Sequence, residues 1–233
     1  MSNPTIAIGD YTITAYSDGV FTTEVDMMIG ADKETIQRVS GKALKEPVKL
    51  SVNAFLVEGR GIRALVDAGT AKTLGPDMGF LPENLIKAGK PLDSITHVLL
   101  THIHPDHSNG LIDPDGKPYF PKAEVVVQED EIKFWVDREL SEAANDRVRW
   151  NMSNARNAFA PYTKQTTRIR DGEFMPGIIS QKSPGHTPGH TCWIIEGGGK
   201  ALMIWGDTIH MSFLQLERPE DRKSTRLNSS HVS

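Results

Sequence analysis

Thr101-His102-Ile103-His104-Pro105-Asp106-His107 places four metal-ligand-type side chains within six positions, directly after the apolar run Val98-Leu99-Leu100. In an extended strand end, residues two apart point the same way, so His102 and His104 can reach one cation together. Pro105 keeps His104 out of the helical region and fixes its own φ, turning Asp106 and His107 toward a second, neighbouring ion. Neutral imidazole and carboxylate suit Zn²⁺, and also Fe or Mn. A lone histidine in a strand is ordinarily a core or surface residue. Four donors packed around one turn without a cation leave polar groups that are costly to satisfy.

Two further elements downstream carry the same chemistry. Ser183-Pro184-Gly185-His186-Thr187-Pro188-Gly189-His190 holds two Gly and two Pro in eight residues, a tightly bent loop that presents a histidine rigidly. Asp207 follows the apolar Ala201-Leu202-Met203-Ile204-Trp205-Gly206. A carboxylate there can bridge two cations through its two oxygens.

Around these motifs the chain reads as mixed α/β. Strands are expected at 5–10 and 11–18, in a hairpin of 52–59 with 62–69, and at 96–102, 123–128, 177–183, 192–197 and 201–207. Helices are expected at 82–90, 129–137 and about 140–160. Trp135, Trp150, Phe134 and Met152 are read as core rather than substrate cradle, in a helical region that could also flank the pocket, His97 as a hydrogen-bonded sheet residue, and Cys192 as a buried, inert thiol.

The chain has 233 residues, of which 38% are hydrophobic and 24% charged, with a net charge of −4. These values fit one globular domain and argue against a nucleic-acid partner. No window approaches a membrane span, and no basic and apolar leader opens the chain, so a cytoplasmic protein is expected. A single cysteine excludes a disulfide framework or a Cys-rich zinc module. Residues 221–233, Asp-Arg-Lys-Ser-Thr-Arg-Leu-Asn-Ser-Ser-His-Val-Ser, have no apolar periodicity. They resemble one translated frame of a common short-read sequencing adapter. The expected division is a native domain over 1–220 and a non-native tail over 221–233. That tail carries three basic residues against one acid, so the body is more acidic than the total.

His-Ile-His-Pro-Asp-His, Pro-Gly-His-Thr-Pro-Gly-His and Trp-Gly-Asp, in this order and at this separation, resemble the metallo-β-lactamase superfamily from about Val52 to Asp207. The resemblance implies a four-layer αββα sandwich and a dinuclear site. His102, His104 and His186 would hold one ion, Asp106 and His107 the other, with Asp207 between them. It also implies that His190 and Asp67 support the site structurally and that His210 lines the substrate pocket. The superfamily supplies a last histidine from beyond the bridging Asp. Relative to that pattern the chain is expected to lack the closing strand and helix. His231 is not taken as this ligand, because it lies inside the tail and too close to Asp207.

Asp207 separates the chain from the β-lactamases, which vary the Asp-His pair or lack that Asp. His104 separates it from the flavodiiron branch, which has Glu there, and the substrate-gripping arm of the tRNA-processing nucleases is not seen. The lactonase and organophosphate-hydrolase branch remains, with glyoxalase II more distant. The implied function is hydrolysis of a small-molecule lactone, ester or phosphotriester by hydroxide held between two divalent ions, Zn²⁺ first, with Asp106 as proton carrier. A homodimer fits this reading. The alternatives are a mononuclear iron oxygenase acting on a thiol, using His102, His104 and Asp207, and an inactive truncated fragment.

Overall fold

Alternating side chains along the central strands build two apolar faces, and the rest of the fold covers them. The computed structural model describes residues 3–23, 34, 37–38, 47–141, 144–210 and 216. Strands β1 (Thr5–Ile8), β2 (Tyr11–Thr23), β3 (Val48–Gly59) and β4 (Ile62–Val66) pair antiparallel in sequence order. Strands β5 (His97–Leu99), β6 (Glu124–Gln128) and β7 (Thr166–Ile169) continue the same sheet in parallel. A second, antiparallel sheet runs β11 (Lys200–Ile204), β10 (Thr191–Gly197), β9 (Ile178–Lys182), β8 (Gly172–Met175).

On β6, Val126 faces the second sheet, packing with Val66, Leu99, Trp193 and Ile195. Its neighbours Val125 and Val127 face the helices. Those helices are α1 (Leu81–Lys87), α2 (Pro105–Ser108), α3 (Glu129–Ile132) and α4 (Asp146–Phe159). Leu85, Trp135, Met152 and Phe159 from this side are buried in that second core. The mixed α/β sandwich expected from the sequence is present. Three of its four layers lie within the described residues, and none of the described helices covers the outer face of the small sheet. Residues 221–233, including His231, lie outside the described residues.

Several boundaries differ from expectation for local reasons. The last predicted helix starts at Asp146 rather than near Leu140, because Asn145 Oδ1 accepts the Val148 amide at 2.9 Å and caps it there. The 129–137 helix is regular only to Ile132 and then widens into a π turn over Lys133–Asp137. β7 and β8 were not expected. Their residues are exposed or half-buried throughout, so they carry no apolar alternation.

One irregularity bears on the site. Between Ser17 and Gly19 the β2–β3 register slips by a bulge, and the extra residue, Asp18, turns into the interior. Its carboxylate accepts the amides of Thr70, Gly79 and Leu81 and the Thr70 hydroxyl, at 2.9–3.1 Å. It thereby fixes the loop that follows β4.

Candidate metal centre

The parallel strand β5 ends at Leu99, so His102 and His104 sit on the loop beyond it rather than at the strand end. That loop is pinned by β10 of the small sheet. Trp193 Nε1 donates to the Leu100 carbonyl at 3.1 Å, and the Thr191 amide donates to the Thr101 carbonyl at 2.8 Å. His104 is extended (φ −92°, ψ 156°), and Pro105 then opens α2, which carries Asp106 and His107. The Pro-induced change of direction is as the sequence suggests. His186 comes from the loop between β9 and β10, and Asp207 from the turn after β11. Gly206, at φ +52°, makes that turn possible. A Cβ there would lie 2.8 Å from both His190 Nε2 and Thr101 Cβ.

These four segments converge. His104 Nδ1 is 3.1 Å from His102 Nε2 and 2.9 Å from His186 Nε2. Asp207 Oδ1 is 3.1 Å from His107 Nε2. Its Oδ2 is 3.2 Å from His186 Nε2, 3.8 Å from His102 Nε2 and 3.0 Å from His210 Nε2. The two oxygens thus face different groups. Three sets of donors bring one atom each to within 4.8 Å of one another: His102, His104, His186; His102, His107, Asp207; and His186, Asp207, His210. Asp106 stands beside them, its Oδ2 3.5 Å from His107 Nε2 and outside the three sets. His210, read from sequence as pocket wall, both lines the cavity and reaches Asp207.

Hydrogen bonds fix which imidazole nitrogen faces inward. Asp67 leaves β4 with φ +62°, an uncommon conformation for a non-glycine residue, and aims its carboxylate at the site. It accepts the Thr101 amide at 2.8 Å and the Thr101 hydroxyl at 2.9 Å. The hydroxyl's one proton is then used, so Thr101 Oγ1 must accept from His102 Nδ1 at 3.0 Å. That leaves the His102 Nε2 lone pair free toward the centre. Asp67 Oδ2 likewise takes the Nδ1 proton of His107 at 2.8 Å. His190 Nε2 accepts the Asp207 amide at 3.0 Å, which directs its bonding nitrogen to the backbone. Both residues expected to act structurally, Asp67 and His190, make contacts of that kind.

Electrostatics favour the ligand forms of His102, His104 and Asp207, but the protonated form of His107. Burial, with the neighbouring histidines, holds His102 well below its usual pKa and His104 at about 3, so both are neutral near pH 7. Burial opposes charge on Asp207, but His107 and its hydrogen bond outweigh it and hold the carboxyl well below the usual range. Burial alone would lower His107, yet Asp207, Asp106 and Asp67 hold it well above the usual value.

A divalent ion fits this donor set. Three imidazole nitrogens, with His104 Nδ1 3.1 Å from His102 Nε2 and 2.9 Å from His186 Nε2, would turn their lone pairs to one cation.

The site opens into a cavity of about 640 Å³ whose floor includes Asp106, His107 and Asp207. Phe21, Leu50, Phe55, Trp150 and Met203 are among its walls. Trp150 is 45% exposed on this cavity rather than in the core as its sequence context suggested, whereas Trp135 and Met152 are buried as expected. His97 bonds Thr96 Oγ1 at 2.8 Å, and Cys192 is buried and free.

Two buried carboxylates, Asp18 and Glu131, escaped the sequence reading. Asp18 had no signal short of the bulge. Glu131 stands in the acidic run Glu129-Asp130-Glu131, which reads as a solvated helix face.

Residues 48–231 match the Metallo-beta-lactamase superfamily, and the chain belongs to this superfamily of metallo-hydrolases. Among similar solved structures is the hydrolase AbOPH of the beta lactamase superfamily, 28% identical with a TM-score of 0.87, covering 98% of this chain and 83% of that one. A probable metal-dependent hydrolase from Staphylococcus aureus is 25% identical, with a TM-score of 0.73 and coverages of 87% and 74%. AidC, a dizinc quorum-quenching lactonase, shares the fold at 24% identity and a TM-score of 0.85, with coverages of 98% and 82%. The uncharacterized protein YobT of Bacillus subtilis (strain 168) is 29% identical over 166 residues, 71% of this chain. That alignment spans 65% of YobT. No described helix is long and apolar enough to cross a membrane.

Proposed function

We propose that the protein is a dinuclear metal-dependent hydrolase of a small-molecule lactone, ester or phosphotriester. The observation that carries this reading is that Asp207 offers one oxygen to His107 and the other to His186, so two donor groups share one carboxylate. His102, His104 and His186 would hold one ion and Asp106 and His107 the other, with Asp207 between. Divalent ions bound there supply a Lewis acid and lower the pKa of bound water toward neutrality, and Zn²⁺ is the first choice for this donor set, with Fe or Mn compatible.

The chain's own groups supply the rest. The apolar cavity walls take the carbon skeleton of the substrate. Asp106 lies on the cavity floor with its carboxylate accessible, where it can orient a water or carry a proton to the leaving oxygen. Asp67 and Thr101 keep His102 and His107 in the tautomers that turn Nε2 inward. The reading is supported by a likeness to the hydrolase AbOPH and, in fold, to the lactonase AidC.

A panel of lactones, aryl esters and phosphotriesters assayed with metal-replete protein tests the proposal. Hydrolysis of at least one class is expected. Asp106→Asn and His104→Ala should each reduce it by about 10²-fold or more. Turnover within a few-fold of wild type in either variant contradicts these assignments. A single bound iron with no hydrolysis would favour the oxygenase reading instead.

A further inference from the structure

Glu131 is fully buried yet does not line the cavity. Its Oε2 accepts the Ile103 amide at 2.8 Å and its Oε1 accepts the Gly189 amide at 2.7 Å. Ile103 stands between His102 and His104, while Gly189 follows His186 by three residues. One carboxylate therefore joins the two loops that bring the three-histidine group together, one oxygen to each loop. Gly189 presses against the same residue, since a Cβ there would lie 2.7 Å from Glu131 N and 2.9 Å from Glu131 Cγ. The second glycine of Pro-Gly-His-Thr-Pro-Gly-His thus serves close approach to α3. The Lys182–Asp130 ion pair ties the end of β9 to that same helical turn.

We propose that Glu131 is a positioning residue that sets the distance between the His102/His104 loop and the His186 loop, so that their nitrogens converge on one ion. The proposal rests on the metal-centre reading above. It differs from a purely structural role, in which Glu131 satisfies two buried amides and the histidines keep their spacing without it.

Glutamine at this position preserves shape but keeps only one acceptor oxygen. Its amide N–H₂ then meets the other loop's N–H, so one of the two ties is broken. The test is Co²⁺ titration of the metal-free full chain, read by chelator competition and by the cobalt absorption bands, which report ligand geometry. Glu131→Gln is expected to weaken the first Co²⁺ by at least about tenfold and to change the bands, with the far-ultraviolet circular dichroism retained. Gly189→Ala, which pushes the same contact apart from the opposite side, should do likewise. The double variant should lose no more than the worse single one, because both act on one contact.

Folded Glu131→Gln with Co²⁺ affinity within twofold of wild type and unchanged bands overturns the proposal. If Glu131→Gln does not fold, Glu131→Asp decides. It keeps both acceptors one methylene short, and weakened binding supports positioning whereas wild-type affinity overturns it. A wild-type chain that takes up no Co²⁺ overturns the metal centre and this proposal with it; wild-type binding with unaffected variants overturns the proposal alone.

Discussion

The centre depends on where a few protons sit. Thr101 has one hydroxyl proton, Asp67 takes it, and His102 must then donate from Nδ1 and present Nε2 inward. Asp67 governs two imidazoles in this way, His107 directly and His102 through Thr101. Thr101→Val keeps the shape of the side chain but leaves His102 Nδ1 without its acceptor and removes the hydroxyl donor from Asp67, whose oxygens keep the Thr101 amide and His107 Nδ1. Zinc affinity, measured by chelator competition, is expected to fall by about 10- to 100-fold. Affinity equal to wild type would mean that the His102 tautomer is set by something other than Thr101. These residues also mark what the sequence could and could not disclose. The donors from His102 to His107 were legible because their spacing has no ordinary packing explanation, whereas Asp207 alone reads as a turn residue and was legible through the family resemblance. Asp67 was legible only through the family resemblance, and Glu131 was hidden in the acidic run Glu129-Asp130-Glu131, which reads as a solvated helix face.

At the level of elements, the site is held by strand ends whose registers are fixed elsewhere. The β3–β4 hairpin, which delivers Asp67, is braced at its far end by Glu58. Lys90 Nζ lies 2.6 Å from its Oε2 and Arg63 Nε lies 2.8 Å from its Oε1, with the carboxylate only 23% exposed. Burial pushes the Glu58 carboxyl up, but Lys90 and Arg63 outweigh it and hold the pKa below the usual 4.5. A lowered folded-state pKa gives stability that is present above pH 4.5 and is lost as the pH falls through the folded value. Glu58→Gln should therefore destabilise the metal-free protein by about 1 kcal/mol at pH 7, or roughly 2–4 °C in Tm. The gap to wild type should close in acid, and melting curves across pH check it. A gap that stays constant into acid would show that shape, not charge, makes the contribution.

Strand and helix positions were mostly readable because apolar alternation marks buried sheet, as at Val125 to Val127. It failed at β7 and β8, where half-exposed residues leave no period to read. Trp150 was read first as core, with the pocket as the alternative, for a related reason: helical spacing identifies a face, and only the tertiary structure tells whether that face meets core or cavity.

At the scale of the molecule, two sheets and a helical layer meet where the β5 exit, the β9–β10 loop and the β11 turn come together. Trp193 and Thr191 of the small sheet bond directly to Leu100 and Thr101 of the loop that leaves the large one at β5. Sheet packing and donor convergence are thus one structural fact, and an ion held between the sheets should stabilise both. On the proposed function, His102, His104, His107, His186 and Asp207 form one cation-binding centre. Elemental analysis of the purified chain, loaded with zinc and freed of loose metal, tests it most directly. The expected result is about two ions per wild-type chain, with a clear reduction in a variant in which His102, His104 and His186 are all replaced by Ala. No bound metal in the folded wild type, or equal metal in that triple variant, would contradict it.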